Sequence, residues 1–137
     1  MSQKWGHCFF KLFLGVNMMS SLTFILSLIV AVEHLYIMYL ETFATTSKRT
    51  AKTFNMSENT LENHNVQVLF KNQGVYNGLI AIALLYGLFF SHQKTEIVAI
   101  FLIFVIIVAI YGSITSSKLI ILKQGGPAIL AIITLFF

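Results

Sequence analysis

Four long apolar segments dominate the chain and limit what it can fold into. They cover approximately residues 20–42, 68–91, 97–117 and 119–137. A helix needs about 20 predominantly apolar residues to cross the hydrocarbon core of a bilayer, and each segment approaches this length. The sequence therefore predicts an all-α integral membrane protein, a bundle of four transmembrane helices.

The composition agrees with a membrane location. Of the 137 residues, 57% are hydrophobic and 10% are charged, whereas soluble domains carry about 25% charged residues. We expect residues 18–137 to form a single transmembrane domain, because four helices leave no length for a soluble one. Residues 1–17 resemble the basic front of a signal peptide, but the apolar run continues to Leu40 without a cleavage site. We interpret them as an optional N-terminal extension.

The basic residues indicate an orientation in the membrane. The net charge is +4, but these residues lie at the ends of apolar runs and form no stripe with aromatic residues, which argues against nucleic acid as a partner. Because cytoplasmic loops carry the excess of Lys and Arg, we expect loop 43–66 in the cytoplasm and both termini outside. Three basic residues lie on the side of the termini and six on the other: Lys4, Lys11 and Lys94 against Lys48, Arg49, Lys52, Lys71, Lys118 and Lys123.

Polar residues interrupt the first apolar segment in the stretch AVEHLYIMYLE, residues 31–41. A charged side chain at the bilayer centre costs about 2.5–3.5 kcal/mol on insertion scales, so such residues normally face a bundle interior, a partner or a wet cavity. On a helix, Glu33, His34 and Glu41 share an arc of about 100°, and Tyr36 lies to the other side. Of the three, Glu41 lies nearest the interface, so its burial is the least strongly indicated by the sequence.

Polar residues also occur in the other three segments, at the ends that the predicted orientation places in the cytoplasmic half of the bilayer. The sequence therefore predicts a cytoplasm-facing pocket within the membrane, with glycines of the second segment permitting close helix approach. The predicted pocket residues are Glu33, His34, Tyr36, Glu41, Asn72, Gln73, Tyr76, Asn77, Tyr111 and Gln124.

Two further segments carry local signals. Ser57 in loop 43–66 is a suitable N-cap for a short helix. In the fourth segment, Pro127 follows a polar and glycine-rich stretch, so the segment is either kinked there or begins there as a short interfacial turn. Proline is favourable at a helix start.

The chemistry of the polar stretch leaves three functions open. Adjacent Glu33 and His34 do not match the Glu-x-x-His spacing of metal sites in helical bundles, so we expect no metal and no cofactor. The leading hypothesis is binding or transport of a small molecule, with a coupling to protons because an imidazole exchanges protons near neutral pH. A second is a membrane-embedded enzyme that uses Glu33 and His34 as acid and base on a lipid-like substrate. A third is a structural or accessory subunit.

The segments AVEHLYIMYLE, NQGVYNG, YGS and KQGGPAIL together resemble a family of small four-span bacterial membrane proteins of unknown function, over approximately residues 19–137. The resemblance implies a plasma-membrane location and four helices, and it assigns no activity or catalytic residues. The expected partners are the lipid bilayer, a small molecule and further copies of the same chain.

Overall fold

The computed structural model describes residues 19–137, so the predicted extension, residues 1–17, lies outside the described residues. The described part contains helices and no strand, which confirms the all-α prediction. In chain order its elements are α1 (Ser21–Thr42), α2 (Lys48–Phe54), α3 (Glu58–Glu62), α4 (His64–Phe89), α5 (Lys94–Thr115), a π-helical turn (Ile121–Gly125) and α6 (Gly126–Phe136).

Three of these helices, α1, α4 and α5, are long and apolar enough to cross a membrane. The fourth apolar helix, Ile121–Phe136, falls in the range of 10–17 residues and is shorter than a typical span. Four spanning helices were predicted, and the structure supports three. The difference arises because Lys123 and Gln124 lie in the π-helical turn Ile121–Gly125, and the α-helix that follows covers only Gly126–Phe136, with Pro127 in its first turn.

The chain divides into two compact units. We call Val32–Ala81 the hairpin unit; it contains the second half of α1, the short helices α2 and α3, and the first half of α4. The terminal unit combines the described residues up to Ala31 with Ile82–Phe137. The predicted polar stretch of α1 lies almost entirely in the hairpin unit.

Capping side chains build the loop of the hairpin unit. Ser47 accepts a hydrogen bond from the backbone N–H of Thr50 at the start of α2, and Ser57 accepts one from Thr60 at the start of α3. These contacts satisfy amide groups that have no partner within the helix, and the predicted helix start at Ser57 is confirmed. At the end of α2, Asn55 takes the left-handed conformation, with φ 53°, which Asn tolerates better than most residues.

Glycines allow the two long helices of the hairpin unit to approach closely. A Cβ atom at Gly74 would meet the Thr42 hydroxyl and would lie 3.0 Å from Cβ of Glu41. One at Gly78 would lie 3.0 Å from Cγ of Met38. Small residues four positions apart bring helix backbones together in membranes, and here they bring α4 against the end of α1.

Apolar and hydroxyl contacts hold the terminal unit together. Phe24 and Phe89 pack edge to face with ring centroids 5.4 Å apart. The Thr23 hydroxyl donates to the Thr134 hydroxyl at 3.0 Å, linking α1 to α6. Gly125 packs against Ala109 of α5, so the π-helical turn lies directly on a spanning-length helix.

We predict that Gly74→Ala destabilises the protein whereas Gly126→Ala does not. The Thr42 hydroxyl can rotate away from a new methyl group, but Cβ of Glu41 and the backbone nitrogen of Thr42, 3.0 and 3.1 Å from it, cannot. Overpacking of this kind costs about 1–3 kcal/mol. A Cβ at Gly126 meets nothing within 4 Å. Unfolding in detergent micelles followed by circular dichroism measures both effects, and equal stability of the two variants contradicts the close approach.

Candidate functional site

The buried face of α1 in the hairpin unit contains both apolar and polar side chains. His34, Ile37, Leu40 and Glu41 are all buried, and His34, Ile37 and Glu41 follow one another at spacings of about one turn. Glu41 is only 4% exposed, whereas Glu33 is half-buried. Glu41 is therefore buried although it lies nearest the end of the helix, because α4 covers the end of α1.

A hydrogen bond explains why the Glu41 carboxylate tolerates this burial. Nδ2 of Asn77 donates to Oε2 of Glu41 over 2.7 Å. Asn77 lies between Gly74 and Gly78 in sequence, and these glycines bring its backbone close to α1. An amide donor to a carboxylate is a charge-assisted bond, roughly twice as strong as a neutral one.

Threonines complete the polar layer around the end of α1. The Thr45 hydroxyl donates to the carbonyl oxygen of Glu41 at 2.7 Å. The Thr50 hydroxyl, on α2, donates to the carbonyl of Ala44 at 2.6 Å and contacts that of Leu40 at 3.3 Å. The bonds to Glu41 and Leu40 occupy carbonyl groups that the end of a helix leaves without partners, and the bond to Ala44 attaches α2 to the residues just beyond α1. Sequence reasoning missed these threonines, although their position directly after a predicted helix was a usable signal.

Thr42 is a further residue that sequence reasoning missed. Its hydroxyl oxygen is buried, lies against Gly74 and makes no hydrogen bond within the described residues. The Gly-x3-Gly spacing of Gly74 and Gly78 signals a close contact, but the sequence does not say which residue of the facing helix occupies it.

Glu33 differs from Glu41 in its environment. Its Oε2 atom is buried and makes no hydrogen bond to any described residue. His34, the next residue, is buried. A buried polar atom without a partner is unfavourable and uncommon in native proteins, and it calls for a specific explanation such as a catalytic role, an ion or a bound molecule. Among the described residues of the hairpin unit, Glu33 and Thr42 each have a buried oxygen without a hydrogen bond, and only Glu33 is ionisable.

The remaining predicted residues lie in other environments. On α4, Asn72, Gln73 and Tyr76 are exposed, with Tyr76 65% exposed, because they lie on other faces of the helix than Gly74 and Gly78. On α1, Tyr36 is exposed. The terminal unit contains two more: Tyr111 is 69% exposed and Gln124 is half-buried. The structure thus joins Glu41 to Asn77, and a pocket formed by all ten residues stays a prediction.

Comparison with known proteins identifies the family. Residues 28–136 match the model of a family described as a protein of unknown function, DUF1304. The chain belongs to this family. The matched range includes Glu33, Glu41 and Asn77. This confirms the predicted resemblance at the level of an uncharacterised family.

A curated relative supports the same assignment. The chain is 61% identical over 119 residues to "Uncharacterized protein YpaA" of Lactococcus lactis subsp. lactis (strain IL1403), an alignment that covers 87% of this chain and 100% of the relative. No solved structure matches the chain.

We predict that Glu41 and Asn77 are energetically coupled. Replacing each with Leu, singly and together, gives a double-mutant cycle in which the coupling is about 1 kcal/mol or more, because the bond joins a carboxylate to an amide in an apolar environment. Unfolding in detergent micelles provides the four stabilities. The control cycle pairs Glu41→Leu with Asn72→Leu. Asn72 lies on the same helix as Asn77, but its side chain is exposed. Equal coupling in the two cycles contradicts the specific bond.

Proposed function

We propose that this protein is a plasma-membrane protein that binds a small molecule at the polar stretch of α1 and transports it across the bilayer, with proton exchange at Glu33. The observation that supports this proposal is the buried Oε2 atom of Glu33, which no described residue satisfies. In a transport cycle a proton and a bound solute occupy such a group alternately, so a permanent partner for it is not expected.

The depth of Glu33 supports a transport role. It lies twelve residues after Ser21 and nine before Thr42 in a helix of 22 residues. At about 1.5 Å per residue, it is about 18 Å from one end of α1 and about 14 Å from the other. This is near the midplane of a hydrocarbon core about 30 Å thick, and substrate sites of secondary transporters lie near the midplane.

The two glutamates have separate roles in this proposal. Glu41 lies at the end of α1, where its carboxylate accepts a hydrogen bond from Asn77. Its role is to stabilise the contact between α1 and α4 in the hairpin unit. Glu33, about 12 Å deeper along the helix axis, is the group that exchanges a proton. His34 beside it is the residue type best suited to pass protons near neutral pH.

The charge of loop 43–66 supports the proposed orientation. Lys48, Arg49 and Lys52 are exposed on α2, directly after a spanning-length helix. Short loops with this excess of basic residues remain in the cytoplasm. We therefore propose that the loop faces the cytoplasm and that the polar stretch of α1 opens toward that side.

A second candidate function is catalysis within the membrane. The observation that favours it is the pairing in sequence of Glu33, which has an unsatisfied carboxylate oxygen, with the buried imidazole of His34. A carboxyl group and an imidazole side by side are able to act as general acid and base on a lipid-soluble substrate. The two functions differ in whether the molecule leaves the protein unaltered.

We predict that Glu33→Gln abolishes solute accumulation in proteoliposomes under an imposed proton gradient. The external probe is a defined mixture of amino acids, sugars, organic cations and organic acids, and mass spectrometry of the lumen detects what enters. We expect the wild type to accumulate at least one class and Glu33→Gln to reduce that uptake by about tenfold or more, which corresponds to about 1.4 kcal/mol. Glutamine keeps the shape of the side chain but cannot carry the proton.

The matched control is Glu62→Gln, the same chemical change at an exposed position of the same unit, and it should retain uptake. Accumulation of a chemically altered solute favours the enzyme instead. Uptake by Glu33→Gln equal to that of the wild type refutes the role of Glu33. A large loss of thermal stability in Glu33→Gln, with no uptake by the wild type, favours a structural role.

A further inference from the structure

The short helix α2 carries a basic face. Lys48, Arg49 and Lys52 are all exposed. At about 100° per residue, they lie at about 0°, 100° and 40° around the helix axis. All three positive charges therefore point into one arc of about 100°.

The opposite face of α2 is packed. Thr50 and Ala51 are buried, and the ring of Phe54 packs edge to face on Phe70 of α4, with ring centroids 5.2 Å apart. These three positions lie at about 200°, 300° and 240° on the same scale. The packing fixes the rotation of the helix, so the basic face is held outward.

The level of α2 is fixed by its attachment to α1. Its Thr50 hydroxyl bonds to the carbonyl of Ala44 just beyond the end of α1. At that end Tyr39 and Phe43 form an exposed stacked pair, with ring centroids 6.5 Å apart, and Phe43 is 74% exposed. Exposed aromatic residues at the end of a spanning-length helix are typical of the interface between membrane and water. The basic face therefore lies at the depth of lipid headgroups.

From this arrangement we infer that the basic face of α2 binds the phosphate groups of anionic lipids in the adjoining leaflet. Charge complementarity identifies the partner. The three positive side chains lie at the level of the headgroups, and anionic lipids present phosphates with a net negative charge there. Other charged groups of the hairpin unit are exposed on neighbouring elements: Lys71 follows Phe70 on α4, and Glu58 and Glu62 lie on α3.

Native mass spectrometry of the full chain, titrated with phosphatidylglycerol or phosphatidylcholine, tests this inference. We expect tighter binding of phosphatidylglycerol, and we expect the triple variant Lys48→Gln, Arg49→Gln, Lys52→Gln to weaken it by at least about tenfold, since each charge near an anionic surface contributes about fivefold. Phosphatidylcholine binding should not change. The variant Lys48→Arg, Lys52→Arg, which keeps the charges, should retain phosphatidylglycerol.

The matched control removes three charges elsewhere, by Lys94→Gln, Lys118→Gln and Lys123→Gln in the terminal unit. We expect it to retain most of the phosphatidylglycerol binding. The inference is overturned if the control loses as much binding as the α2 variant, because net charge alone then accounts for the effect. It is also overturned if the α2 variant, still helical by circular dichroism, binds phosphatidylglycerol as tightly as the wild type.

Discussion

The structure of the hairpin unit depends on how a buried carboxylate is satisfied. Glu41 is nearly inaccessible at the end of α1, where an unpaired charge is costly. The Asn77 amide supplies the bond, and it reaches the carboxylate only because Gly74 and Gly78 allow α4 to approach. The interhelical spacing and the polar contact therefore support each other, since a larger residue at either glycine separates the two partners of the bond.

The same helix carries a second carboxylate that this arrangement does not satisfy. Glu33 lies two turns from Glu41, and its buried Oε2 atom has no hydrogen bond within the described residues. Stability alone favours a residue such as Leu at this position, because an apolar side chain there removes the desolvation cost. Retention of Glu33 beside buried His34 is consistent with a role in chemistry or binding. Helix α1 thus carries one glutamate with a hydrogen-bonded carboxylate and one with a buried carboxylate oxygen that no described residue satisfies.

The fold was largely predictable because the length of each apolar segment determines the length of the helix that it can form in a membrane. Helices α1, α4 and α5 occupy the predicted segments, and Ser57 begins α3 as its side chain suggests. The fourth helix is shorter than predicted because the polar and glycine-rich residues before Pro127 form a π-helical turn, and the regular α-helix begins only at Gly126. Glu41 and Asn77 were both predicted to line the pocket, but the bond between them was not predicted. It depends on which face of α4 meets α1: the predicted pocket also contained Asn72, which is exposed, whereas Gly74 lies on the packed face.

The polar loop and the polar helix stretch place opposite charges at different depths. The cations of α2 are exposed at the level where α1 ends, whereas Glu33 lies near the middle of a spanning-length helix. A phosphate held by Lys48 or Arg49 is repelled by a carboxylate deeper in the molecule, and a cation or proton suited to Glu33 is repelled by α2. Because the two sites favour ligands of opposite charge, a single ligand does not satisfy both. The proposed lipid binding at α2 and the proposed solute binding at Glu33 therefore require different ligands, so each proposal can be tested without the other.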